Sequence, residues 1–196
     1  RDYMQSLKLQ VSDLIPNSLS DAKLEDLLDA SAKVVLDSLP PMLLSPHSST
    51  ANTSSSVLAI KNKRIIKVVQ NNYSASLKDA SLEHWLTDVN SIHYADSTSP
   101  MYVIKQSGDL KCYPTGTEAA VDYIGYPSID ASDTSITGLP DTAFYAVVLG
   151  TAIKVAQVLL GELIHTDEDV ELASAMQLES ANLQALYLAE MQRLTG

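Results

Sequence analysis

From Gly138 to Gly161 the chain carries a stretch that dictates much of what the remainder must do. Beyond Phe144 nearly every position is apolar or small, and only Thr151, Lys154 and Gln157 interrupt the run. These three lie three residues apart, so on a helix they form one narrow polar stripe. Pro140 suits the first turn, where its missing N–H is not needed, and Asp141 answers the positive end of the helix dipole. A helix that is apolar almost all round must be buried on most sides, so the segment predicts a central helix wrapped by other elements. Its short length, its Ala and Gly content and the mid-way Lys154 argue against a membrane span.

A chain of 196 residues suffices for one domain with a sizeable core, or for one core with an inserted subdomain. Nine Tyr stand against one Phe and one Trp, which suits half-wet strands and interfaces. The net charge of −11 excludes general nucleic-acid binding by the whole surface. It is compatible with a conduit through which DNA slides without sticking, though an ordinary soluble acidic protein is the commoner reading. Cys112 is the only cysteine, so no internal disulfide and no cysteine-rich metal site is expected, and a reducing compartment fits. It falls in an expected strand, as a small core residue. The start, Arg1-Asp2-Tyr3-Met4, has no apolar leader segment, and without an initiator Met residues are expected to be missing before it.

Taken in order, residues 1–19 are expected to form a short helix or an arm ending at Pro16. Ser20 or Asp21 caps a helix to about Leu39, with Leu24, Leu27, Leu28, Val35 and Leu39 on one side, and Pro40-Pro41 stops it. Residues 45–56 are a polar, Ser-rich, low-complexity loop expected to be mobile. From 57 to about 126 the pattern turns to β. Val57–Ile60 and Ile65–Val69 flank Lys61-Asn62-Lys63-Arg64, predicting a hairpin with a basic tip. Leu77–Val89 is compatible with a short helix or with irregular packing. Ser91–Ala95 is expected as a strand, 101–113 as a hairpin turning at Gln106–Asp109, and Ala119–Tyr126 as a further strand. After the polar loop 127–137 and the central helix, Thr166 or Asp167 would cap a final helix reaching about Leu194. Its expected apolar stripe is Leu172, Met176, Leu183, Leu186, Tyr187, Met191 and Leu194. The fold class is thus α+β, a bundle of about three main helices with an inserted antiparallel β module. The divisions are 1–56, 57–127 and 128–196 within a single domain overall.

Candidate chemistry is sparse. His47, His84, His93 and His165 contain no pair at zinc-ligand spacing, and His165 follows the expected end of the central helix, where a cation is favoured. The acids Asp167, Glu168, Asp169 and Glu171 suit a helix start and do not match a calcium loop. There is no phosphate-binding glycine loop and no nucleophile elbow. No enzyme activity, cofactor or metal is therefore expected; a hydrolase using the acidic residues would need metal-dependent activity that is lost on changing Asp167 or Asp169. Lys61, Lys63, Arg64 and Lys67 form the compact positive group on an acidic chain. They suit a solvated turn, or a contact to an acidic partner or to DNA phosphates. Gly150 inside the central helix carries a propensity cost and marks a candidate close-packing position.

The segment from about Ser91 to Leu160 resembles neck proteins of tailed bacteriophages, the head-to-tail adaptors beneath the portal, and is like structural proteins of marine and cyanobacterial phages. The residues carrying this are Ser91–Ala95, Pro100–Ile104, Leu110–Pro114, Asp122–Ser128, and Leu139-Pro140-Asp141 leading into Ala146–Ala152. The resemblance implies a helical bundle with an embedded β region, assembled as a homo-oligomeric ring of twelve copies. Such a ring sits between the portal protein and the tail or a second neck protein, extends the channel through which DNA passes, involves no membrane, and is made in the host cytoplasm. The C-terminal helix would then be a candidate for portal contact and the β hairpins for contacts to neighbours or tail. The larger β module departs from the smaller adaptors. Other expectations for the chain are a tail terminator, tail tube or head completion protein, or a module binding a glycan or host protein through its Tyr-rich β region.

Overall fold

The computed structural model describes residues 3–129, 135–166 and 170–196. The chain divides into two compact units: a helical unit of residues 1–40 and 127–196, and a β unit, Pro41–Tyr126, inserted between its halves. The acidic run Asp167-Glu168-Asp169 and residues 130–134 of the polar loop lie outside the described residues.

The helical unit is built around the apolar stretch. Pro140 precedes a single 3₁₀ turn, Asp141–Ala143, closed by the Ala143 N–H donating to the Pro140 carbonyl at 2.9 Å. The long helix proper then runs Phe144–Thr166. It passes through Gly161 and His165, so Thr166 ends this helix rather than capping the next. Helix α1 is Tyr3–Leu14, α2 is Asp21–Ser38, and a single turn α3, Pro41–Leu44, opens the β unit. The long helix is therefore α4, and α5 is Val170–Thr195. Helices α1, α2 and α5 all pack on α4. Residues Ala146, Val147, Val148, Leu149, Ala152 and Val155 are wholly buried. Thr151, the first residue of the polar stripe, is buried too, because its hydroxyl donates to the Val147 carbonyl at 2.8 Å within the helix.

Helix α1 contributes Leu7 and Val11, followed by Ile15, at four-residue spacing. Its Lys8 donates to Glu25 of α2 at 2.7 Å. The Ser20 side chain accepts from the Lys23 N–H at 3.3 Å, as an N-cap does. From α2, Leu24, Leu28, Ala32, Val35 and Leu36 enter the core.

On α5 the inward row is Ala173, Met176, Ser180, Leu183, Tyr187, Glu190 and Leu194, a strict alternation of three and four residues. Leu172 and Leu186 are off that row and are 46% and 50% exposed, which corrects their expected place in the stripe.

The β unit contains two four-stranded sheets. Strands are β1 Ser49–Asn52, β2 Val57–Ala59, β3 Lys63–Gln70, β4 Tyr73–Ser74, β5 Ser76–Lys78, β6 Met101–Ile104, β7 Asp109–Tyr113 and β8 Ala119–Gly125. One sheet is ordered β1-β8-β3-β4 and the other β2-β7-β6-β5. All pairs are antiparallel except β5–β6, which is parallel. Residues from both sheets close on one core, including Ile60, Val68, Leu110, Cys112 and Val121. On the other face of the second sheet, Val103 and Tyr113 pack with Leu86 and Ala95 from the segment that follows β5.

Three expectations are corrected here. The 57–69 segment is not a hairpin: β2 pairs with β7, whereas β3 pairs with β8 in the other sheet. The chain changes sheet at Ile60, which is buried between them, and at Asn62, whose positive φ of 60° sharpens the corner. Ser91–Ala95 is not a strand but a turn, with Tyr94 N–H bonded to the Ser91 carbonyl at 3.1 Å. The Ser-rich segment supplies an edge strand, β1, paired along β8 from Ser49↔Tyr123 to Asn52↔Ala120. This strand belongs to the compact unit Pro41–Tyr126.

Because Leu28 is fully buried on α2, Leu28→Ala is expected to lower stability by about 2–5 kcal/mol. Urea unfolding followed by helical circular dichroism measures this.

Candidate functional site

A polar constellation lies on the face of the second sheet opposite the core that the two sheets share. Alternation along β7 sends Leu110 and Cys112 into the core and Lys111 and Tyr113 to the opposite side. Burial pushes the Cys112 thiol up to about 11, so it is an inert core residue. Over Lys111 and Tyr113 sits the 3₁₀ turn Ala80–Leu86, started by Asp79 accepting from the Ser81 N–H at 2.8 Å. This turn delivers Glu83. Its Oε1 accepts from Lys111 Nζ at 2.9 Å and from the Tyr113 hydroxyl in a short hydrogen bond, and Lys105 Nζ lies 3.3 Å away. The Lys111 ammonium also sits 5.0 Å from the centre of the Tyr113 ring.

The hydrogen bonds from Tyr113 and Lys111 hold the Glu83 carboxyl down at about 2. The Lys111 ammonium is pushed up by its bonds to Tyr113 and Glu83, and the Tyr113 phenol is pushed up first by burial and then by Glu83. All three shifts favour the ionised carboxyl, the ammonium and the neutral phenol that these hydrogen bonds require. The adjoining cleft, about 590 Å³ and bordered by His84, Thr87 and Thr115, is broad and open. The arrangement is a polar clamp that fastens the 80–86 turn to the sheet.

The basic residues named from the sequence are distributed around a strand. Lys61 lies in the turn before β3, with its Cβ against Gly108. Lys63 and Arg64 pair in register with Gly125 and Ile124. The Lys63 ammonium stands 4.0 Å from the centre of the Tyr123 ring. The register shifts between Ile65 and Lys67, and Lys67 faces Asp122, which also accepts from the Thr50 hydroxyl at 2.6 Å. Alternation sets Lys63 on the Tyr123 face and Lys67 with Asp122 on the other, so the four cations are not one continuous patch.

Gly150 occupies the place where two helices approach α4. A Cβ there would lie 3.5 Å from Ser31 Cβ of α2 and 3.5 Å from Tyr187 Cε2 of α5. It floors a groove of about 180 Å³, bordered by Val34, Ile153, Lys154, Gln157 and Tyr187. Burial pushes the Lys154 ammonium below its ordinary value.

No group of three or more His, Cys, Asp or Glu side chains suited to a metal ion gathers among the described residues. By length and composition alone, the helix spanning Asp141–Leu163 would suffice to cross a membrane, and half of its apolar window is buried inside the protein, as in a core helix. Comparison with protein-family models and with curated proteins gave no match to either.

Sequence reasoning missed Glu83 because its role depends on which strands neighbour one another. The ambiguous 77–89 segment gave no periodic signal from which to place it.

Two predictions follow from these sites. The carboxyl of Glu83 is depressed in the folded state, so its stabilisation is full above the ordinary carboxylate range and is lost as pH falls from about 4.5 towards about 2. Glu83→Gln should flatten this part of the pH–stability curve and cost about 1 kcal/mol at neutral pH, as denaturant titrations at stepped pH would show. At Gly150 a methyl group meets only ordinary contacts, so Gly150→Ala should raise stability by up to about 1 kcal/mol. An unchanged or lower urea midpoint would contradict that.

Proposed function

We propose that the chain is a structural component of a tailed-phage virion, a head-to-tail adaptor whose copies form a ring between portal and tail and line the path of the DNA. The observation that carries an assembly role is the outer surface of α5. Leu178 and Leu188, 66% and 61% exposed, lie on the side of α5 away from its inward row, with Leu186 at the flank. A single exposed leucine is ordinary; several on one helix support the reading that another chain covers this surface.

The neck position rests on the resemblance carried by residues 91–160. The architecture agrees with it, since a helical unit interrupted by a β unit is what that resemblance implies. The net charge of −11 suits a wall past which DNA slides. A tail-tube protein would be expected to be mainly β, whereas α2, α4 and α5 together span much of this chain. The proposed role is structural and calls on no catalytic residue, cofactor or metal. Its partners are copies of itself, the portal protein and the tail or a second neck protein.

Gold labelling of purified particles with an antibody to this chain tests the position. Label at the head–tail junction is the expected result. Label along the tail or over the capsid would move the protein elsewhere in the virion, and its absence from disrupted particles would reject a virion role.

A further inference from the structure

The helical unit carries two unlike exposed surfaces. One is a ridge on α5. Ala175, Leu178, Asn182, Ala185 and Ala189 recur at spacings of three and four and are all exposed, with Leu186 beside them. This row has the periodicity of a helix-packing seam and contains no charged side chain. Glu179 stands next to it, exposed, on the side of Leu186.

The other surface is the groove floored by Gly150 between α2 and α5. Its volume of about 180 Å³ exceeds the roughly 150 Å³ that accommodates a benzene-sized group, so a leucine side chain fits. Val34, at 51% exposure, and Ile153 form apolar walls. Among the described residues, Lys154 is the groove's only charged lining residue and no carboxylate lies within ion-pair distance of it.

We infer that the Leu178–Leu186 ridge of one copy packs into the Gly150 groove of the next, with Glu179 beside Lys154. The occupant is a second copy because the same unit supplies the ridge, a cavity of the right size for it, and the complementary charge. Ridge and groove are different surfaces, so the contact is head-to-tail and every copy gives one and receives one. Such an interface closes into a ring when its rotation allows and otherwise grows as a filament. Only the closure rests on the adaptor reading; the contact itself does not.

The test uses the full chain, with sedimentation velocity over a concentration series. Lys154→Glu and Glu179→Lys should each weaken association by at least about tenfold, and the double variant should restore it. Glu179→Lys lies on an exposed position of α5, so unchanged circular dichroism separates lost association from lost folding. Singles that associate like the parent chain, or a double that stays weak, would overturn the contact. Closed oligomers persisting through all variants would overturn it while leaving the ring reading intact. Charge-swap rescue with only open-ended oligomers would uphold the contact and overturn closure. A parent chain that stays monomeric at its highest soluble concentration would overturn the contact, leaving the ring reading to the particle labelling.

Discussion

Ala146, Val147, Val148 and Leu149 are consecutive and wholly buried. Four successive helical residues point in directions that sweep about 300° around the axis. Such a segment cannot rest on a single partner; it must be enclosed. Helices α1, α2 and α5 provide that enclosure, and the position of each is set by the need to cover α4. Small residues make the enclosure possible. With glycine at position 150, Ser31 and Tyr187 both come within ordinary contact distance of where a Cβ would be, so helices from the two halves of the unit meet over the same turn.

The β unit is secured differently, with polar side chains deep in its framework. Gln70, on β3, donates from its amide nitrogen to the Pro114 carbonyl at 3.0 Å and to the Thr117 carbonyl at 2.9 Å. Ser56 accepts from the Gly116 N–H at 2.9 Å, and Thr53 accepts from the Ala119 N–H at 2.9 Å. These residues are almost fully buried. Each satisfies backbone groups that would be costly to leave unpaired where strands are short. The Ser- and Thr-rich composition of 45–56 thus serves structure: hydroxyls stand in for the ladder bonds that a three- or four-residue strand cannot supply.

How much of this is legible in sequence follows from how local each signal is. The central helix is readable because its composition alone demands burial, and the 101–113 hairpin because Gly108 supplies the positive φ of 86° its turn needs. Helix α2 is readable from its cap and its spacing. Strand β1 is not, since Ser-Thr-Ala-Asn has no apolar alternation and is held by ladder bonds to a strand some seventy residues away in sequence. Ser91–Ala95 misleads in the opposite sense: the segment has strand-like residues, yet Ala95 turns inward to bond the Leu86 carbonyl at 3.0 Å. On α5 the apolar residues surround the helix, so composition cannot tell which leucines face inward. The choice is made by α4. Of the candidate sites, Gly150 stands out in sequence by its cost within a helix, yet a Cβ there would meet only ordinary contacts, whereas the Glu83 clamp depends on β7 lying beneath the 80–86 turn.

Inserting the β unit between α2 and α4 has a kinetic consequence. The helical unit cannot close until its N-terminal half meets residues emerging after Tyr126, so α1 and α2 are synthesised well before the helix they must cover. Residues 41–126 form their own core. If they fold first, a long flexible loop becomes a compact one and less chain entropy is lost when the bundle closes. Until then the apolar faces of α1 and α2 remain without their partner, and premature association between growing chains is the natural hazard. The order of synthesis therefore favours a β unit that folds early and by itself.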